Sequence, residues 1–370
     1  GWLMYDLTGS TVELGLVSGV RLLPALVLAP IAGVLADRGD RKFQLLVAQA
    51  INAVMNFILA ALLLAGRIET WHIYATGFIV AIVQVFEIPA RLSMMPESVD
   101  RTHLTNALGQ GALAWNVSQT VGPAAAGGLI AAVGVGWAYV VQGLIYAFST
   151  VWTHQLRIGG RVVRNESEPL SIVRGTIEGW RYILHHPVIR GGMAVLLLVA
   201  CFGLSILTLL PAFARDVLQT GPTGQGLLVT VMGVGGMVAS FLVAAVSDRF
   251  PKGKIMLAGG VAFGLAEVAF GLSSWFVLSL LCMAVIGVSS VLCTALVNTV
   301  LQRHSAPEMR GRVTSAFQQN QVAMTGGGIM IGTLAAAVGT PGAAIIMGFA
   351  CTFGVIAIAI AMPAVRAIRQ

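Results

Sequence analysis

Three ionisable side chains, Arg21, Glu87 and Glu267, stand inside long apolar runs of a chain in which only 10% of residues are charged. Taking a charge out of water is expensive, so such a group is by default a working one that pairs, carries a proton or meets a ligand. Glu87 is followed by Pro89 and Arg91. Protonation would neutralise its carboxylate and let it move a proton; an ion pair with Arg21 or Arg91 that merely ties helices together is the alternative. For Glu267 a structural role is expected. Uncharged hydrogen-bonding groups form a second set: Asn116 and Gln119, three apart and so on one helix face, with Gln110, Asn298 and Gln318 to Gln321. Amides among apolar neighbours suit a bulky amphipathic solute better than a small ion or sugar. A third set, Asp37-Arg38-Gly39-Asp40-Arg41-Lys42, packs five charges into one short turn.

Other chemistries lack their residues. Gly253-Lys254 is followed by Ile255, so there is no phosphate-binding P-loop, and His-Glu-x-x-His is absent. All six histidines fall at the ends of apolar runs or in turns. Cys201, Cys282, Cys293 and Cys351 lie inside apolar runs without motif spacing. No enzyme activity, metal, cofactor or disulfide framework is expected.

The elements that must hold these groups are membrane spans. With 57% hydrophobic residues the chain reads as an all-α polytopic membrane protein. Runs of ~20 apolar residues cross a bilayer. They are expected at about 12–36, 43–65, 72–93, 104–131 and 135–154, then 188–212, 223–246, 254–272, 275–299, 314–338 and 341–363. The net charge of +7 does not point to nucleic acid, because the basic residues sit in short turns between spans. Of the 22 Lys and Arg, all but Arg21, Arg67 and Arg215 fall on the side of the charged turn. That side, with the chain's C-terminus, is therefore expected to be cytoplasmic in a cell (inner) membrane.

The chain also repeats itself. A shift of 211 positions carries Asp37, Arg38 and Arg41 onto Asp248, Arg249 and Lys252, and Pro96-Glu97 and Arg101 onto Pro307-Glu308 and Arg312. Both members of each pair lie on one side of the membrane, so the halves are parallel repeats. The expected division is a first bundle at 1–156, a cytoplasmic linker at 157–187 and a second bundle at 188–370. The seventh span shifted back falls ahead of Gly1, which implies one further helix upstream of this chain. In the linker, Leu170, Val173, Ile177, Trp180 and Leu184 recur at helical spacing, the pattern of a helix on the membrane surface or of a plain spacer. The shift pairs Glu87 with Asn298, which points to two polar groups facing a central cavity. It finds no counterpart to Gly122-Pro123 in 333–339, so the halves are expected to differ there.

The pattern Gly33-x-x-x-Asp37-Arg38-x-x-Arg41-Lys42 resembles the signature loop of the major facilitator superfamily. Tyr5-Asp6-Leu7-Thr8-Gly9-Ser10, Arg21-Leu22-Leu23-Pro24 and Arg310-Gly311-Arg312-Val313 are similar to its transmembrane secretion effector branch, which holds siderophore and macrolide exporters. The resemblance implies two six-helix bundles, alternating access and a monomer that exports small molecules against protons. It makes Asp37, Arg38, Arg41 and Lys42 a gate, with Asp37 near the start of the eleventh helix where free amides favour negative charge. Asp248, Arg249 and Lys252 would form a weaker second gate. Gly122, Pro123, Gly127 and Gly128 resemble the glycine-proline signature of drug antiporters, and Asn116, Gln119, Asn298 and Gln321 fall on helices that line the family's cavity. One departure concerns the fourth span, where 71–86 lacks the arginine many antiporters carry. The departure leaves the proton pathway open, with Arg21 as a candidate substitute. An importer of the same fold and a non-transporting sensor or scaffold are the alternatives.

Overall fold

Apolar runs of this length satisfy their backbone in lipid only as helices. The computed structural model describes residues 1–38, 40–94, 99, 103–156, 169–246, 251–366 and 368, and is helical almost throughout them. The first half holds α1 (Trp2–Thr8), α2 (Thr11–Arg38), α3 (Arg41–Leu64), α4 (Thr70–Met94) and α5 (Leu104–Gln155). The linker contributes α6 (Pro169–His185). The second half begins with α7 (Pro187–Leu198) and α8 (Ile206–Ala212), each running on into a π-helical turn, Val199–Gly203 and Phe213–Val217. It continues through α9 (Gly221–Val246), α10 (Lys252–Leu272) and α11 (Phe276–His304). It closes with α12 (Arg310–Gln318), α13 (Asn320–Val338), α14 (Thr340–Ala361) and α15 (Pro363–Arg366).

Among the described residues, 9 helical stretches are long and apolar enough to cross a membrane. Most of their bounds fall within about five residues of the expected ones; Pro307–Val338 begins well ahead of the expected 314, and the expected span at 12–36 is not among the nine. The 52-residue α5 is two spans: Gly134, at φ 84° and ψ 165°, breaks it at the expected boundary. Gly339, at φ 82° and ψ 158°, makes the same break between α13 and α14. Only glycine adopts this backbone without strain, so each acts as a hinge between antiparallel spans.

The charged turn fastens the first half to itself. The Asp40 carboxylate accepts from the Phe43 N–H at 3.1 Å and caps the start of α3. The Lys42 ammonium donates to the carbonyls of His154 at 2.8 Å and Leu156 at 2.7 Å, the open end of α5. At the matching position of the repeat, Gly253 meets the far end of the chain: a Cβ there would lie 1.8 Å from the Val365 carbonyl oxygen. The second half carries the larger buried core, around Phe213, Phe263 and Phe270.

The linker helix does not simply float on a membrane. Trp180 is half-buried and its Nε1 donates to Gln319 Oε1 at 2.8 Å, Glu178 pairs with Arg312 at 2.6 Å, and Gly179 lies against the Arg312 backbone. Of the apolar positions expected on one face, Trp180 thus turns towards α12, whereas Ile177 and Leu184 are exposed. The side chains of Leu170 and Val173 lie outside the described residues.

Candidate functional site

The two halves meet where small residues let backbones touch. On one side α2 crosses α13: a Cβ at Gly15 would lie 2.9 Å from the Gly328 carbonyl oxygen, and one at Gly332 would lie 2.6 Å from that of Thr11. On the other, α9 crosses α5: a Cβ at Gly226 would lie 2.4 Å from the Pro123 carbonyl oxygen, and one at Gly127 would lie 2.4 Å from that of Pro222. Gly15 and Thr11 map onto Gly226 and Pro222 by the 211-residue shift, so the crossings are copies of one another. Their partners, however, match only if the shift is 205 positions in α5 and α13, about one and two-thirds helical turns shorter. Gly122, Pro123 and Gly127 then fall on Gly327, Gly328 and Gly332, and Gly134 falls on Gly339.

The counterpart of the Gly-Pro stretch is therefore 327–333 rather than 333–339, and the Gly-Pro pair is still not repeated there. Gly122 and Gly127 recur, while Pro123 is replaced by Gly328 and Gly128 by Thr333. The slip lies near the start of the eleventh span, where α12 ends and α13 begins at Gln319. In the corrected register Asn116 falls on Gln321. Gly122 and Gly128 meet no atom within 4 Å of an added Cβ, so they take no part in the crossing.

Both crossings lie towards the ends of the helices away from the charged turn. There a third contact joins the halves. The Tyr5 hydroxyl donates to Asp216, exactly the repeat distance of 211 residues away, and Arg215 Nη1 donates to the Tyr5 carbonyl at 3.0 Å and approaches the Asp6 carboxylate at 3.7 Å. The Arg215 guanidinium also lies 5.7 Å from the centroid of the Tyr5 ring. Sequence reasoning missed this latch as a site. Its signal was there, since Asp216 is the repeat partner of Tyr5, but two different residue types at one repeat position do not register as a match.

On the charged-turn side of the α2–α13 crossing lies a cavity of about 580 Å³ between the halves, lined by Ser18, Arg21 and Leu22, by Ala81, Gln84, Val85, Ile88 and Pro89, and by Gln321 and Thr325. Arg21 and Gln84 also line a second, polar cavity of about 210 Å³ inside the first half, with Asn52, Asn56, Thr76 and Tyr146. Of the expected cavity residues, Gln321 is in the wall. Asn116 and Gln119 are exposed on α5, where Asn116 Nδ2 donates to the Ala112 carbonyl at 2.9 Å, and Asn298 is exposed on α11.

Glu87 is placed differently from the expectation. It is 9% exposed and lines neither of these cavities; it accepts from Asn52 Nδ2 at 3.2 Å and pairs with Arg91 at 3.8 Å. The reason is helical phase: Gln84 and Ile88 of α4 point to the space between the halves, so Glu87 turns into its own half. Arg91 in turn stands 5.6 Å from the Trp115 ring centroid on α5. Arg21 is not the partner of Glu87. Glu267 is fully buried in α10, and neither carboxylate oxygen has a hydrogen-bond partner among the described residues.

The gate residues are seen in part. Asp248, Arg249 and the side chains of Asp37 and Arg38 lie outside the described residues. Arg41 is partly exposed at the start of α3, and Lys252 is 2% exposed at the start of α10. Lys42 serves the first half alone through its bonds to the end of α5. No group of three or more His, Cys, Asp or Glu among the described residues could hold a metal ion.

Two helical bundles related by a parallel repeat, with a cavity between them and a closed end, define a transporter of the major facilitator type. Solved structures agree in fold. The nucleoside transporter NupG superposes with a TM-score of 0.77 at 14% identity, over 98% of this chain and 93% of that one. A bacterial homologue of the lysosomal transporter Spinster gives 0.66 at 16% identity, over 97% and 88%. The chain belongs to the transmembrane secretion effector family, whose model matches residues 1–370. Among its relatives, the staphyloferrin A transporter of Staphylococcus aureus is 24% identical, over 86% of this chain and 80% of its own length. The multidrug efflux pump Tap of Mycobacterium tuberculosis is 27% identical over 85% and 77%, and the enterobactin exporter EntS of Citrobacter koseri is 26% identical over 94% and 79%.

Proposed function

We propose that this protein is a secondary-active exporter of amphipathic small molecules of the drug, siderophore or secondary-metabolite kind, driven by proton antiport. The observation that carries the reading is the cavity between the halves, with apolar walls at Leu22, Val85, Ile88 and Pro89 and polar groups at Arg21, Gln84 and Gln321. A site of this make-up holds an amphipathic molecule by area and orients it by a few polar contacts. The closed end beyond the crossings supports alternating access, in which the halves rock about a central site. The charged-turn side is then cytoplasmic, and the structure's cavity is the one loaded from the cell interior. The names of the relatives Tap and EntS favour export over import.

Glu87 is the proton site in this reading. Its carboxylate exchanges the Arg91 pair for a proton, and Asn52 joins it to the polar cavity, which shares Arg21 and Gln84 with the cavity between the halves. Asp37, Arg38, Arg41 and Asp248, Arg249 and Lys252 gate the cytoplasmic side as it closes. The test uses inside-out vesicles of the full-length protein under a respiration-generated proton gradient, with a panel of lipophilic drugs and siderophores added in turn. Wild type is expected to collapse the gradient in a substrate-dependent way and Glu87→Gln is not. Equal collapse by both removes Glu87 from the proton path, and no response to any compound counts against proton antiport.

A further inference from the structure

We infer that the substrate carries an anionic group of the carboxylate class and that Arg21 is its docking point, a specificity that rests on the exporter reading. Arg21 lies ten residues into α2, roughly 15 Å along the axis, too deep for its side chain to reach either membrane surface easily. A guanidinium so placed ordinarily pairs with a carboxylate. Here it has no hydrogen bond or ion pair to a described residue. The nearby acids are engaged elsewhere: Glu87 with Asn52 and Arg91, and Glu13 with the Tyr74 hydroxyl.

The surroundings keep that charge presented to the space between the halves. A Cβ at Gly77 of α4 would lie 3.6 Å from Arg21 Nε, so the side chain runs in van der Waals reach of α4. Among the described residues no Asp or Glu lines either cavity that Arg21 borders, and Arg21 is the one charged group in their walls. Gln84 from the first half and Gln321 from the second can donate beside it, in the manner a forked guanidinium and two amides hold a carboxylate. The repeat supplies a control. The 211-residue shift takes Arg21 to Met232 of α9, so the fold needs no charge at this place. The charge is an addition for recognition, and the apolar body of the ligand lies along Leu22, Val85 and Ile88.

Dansylglycine and dansylglycinamide form a probe pair that differs only in carboxylate against amide. Their binding to the purified full-length protein is read by dansyl fluorescence after subtraction of protein-free micelles. A charge-assisted contact predicts that the acid binds wild type about tenfold tighter than the amide or better. Arg21→Gln and Arg21→Met are expected to remove the difference by weakening the acid alone, and Arg21→Lys to keep part of it. Equal affinities, tighter binding of the amide, no saturable binding of the acid, or equal weakening of both probes by Arg21→Gln would overturn the assignment. Because binding requires no proton gradient, export of neutral or cationic drugs in vesicles would leave the transporter standing while this specificity fell. A preference for the acid without any proton response would do the reverse.

Discussion

The α2–α13 and α5–α9 crossings are the same joint built twice, and they differ at two places, Gly328 against Pro123 and Thr11 against Pro222. Gly15 on Gly328 and Gly226 on Pro123 both bring backbone to backbone, but the first crossing has glycine on both helices and the second has proline on one. It also holds a hydrogen bond the other lacks: Thr11 Oγ1 donates to the Gly332 carbonyl at 2.9 Å, where Pro222 stands at the matching place. Proline frees a carbonyl one turn back and bends the helix there. The α5–α9 joint is the tighter of the two, and the α2–α13 joint is the one with a side-chain bond to make and break. Charge follows the opposite rule from packing. The halves share their closure, yet Arg21 and Glu87 of the first half correspond to Met232 and Asn298 of the second. Symmetry is kept where the helices of the two halves cross and abandoned at the ionisable groups inside the spans.

That contrast sets the size of mutational effects. Adding a methyl group at Gly226 puts it 2.4 Å from a backbone oxygen, against 2.9 Å at Gly15. Overpacking of this kind costs about 1–3 kcal/mol, so Gly226→Ala is expected to lower transport about tenfold or more and Gly15→Ala by about threefold, measured as initial rates in vesicles. Equal losses would erase the distinction between the joints. Tyr5→Phe removes the hydroxyl that meets Asp216 and leaves the ring under Arg215; loss of a hydrogen bond to a charged group is expected to favour the far-side-open state by about tenfold, read from the populations of the two states. Smallest is a change in the second half away from any joint. Glu267→Met replaces a buried carboxyl lacking hydrogen bonds with a side chain of similar volume and is expected to raise the midpoint of thermal unfolding by ~2 °C with transport unchanged.

Much of this was legible in the sequence because membrane spans obey two simple rules, length and apolarity. The spans, their order and the repeat follow from runs of apolar residues and from Asp37 recurring as Asp248. The Gly122 to Gly128 stretch was legible as a place of close approach, but its counterpart was not, because an ungapped shift cannot register the slip at Gln319. Glu87 was legible as a buried acid. Which way it faces depends on the tilt and phase of α4, and a matched repeat partner at Asn298 gives no information on that. Lys42 reads as one of five charges in a turn; its bonds to the end of α5 join residues more than a hundred positions apart, which no local pattern encodes. The same holds for Trp180, whose apolar spacing was visible and whose polar partner at Gln319 was not.

The account's central claim is that the halves close on each other at the end away from the charged turn through these two joints. Spin labels at Arg67 and Leu272, exposed in the turns of the two halves at that end, report the separation directly once Cys201, Cys282, Cys293 and Cys351 are replaced. Double electron–electron resonance is expected to show a dominant short distance in the parent protein and a shift of the population to longer distances with Gly226→Ala added. An unchanged distribution in the Gly226→Ala protein would contradict the claim.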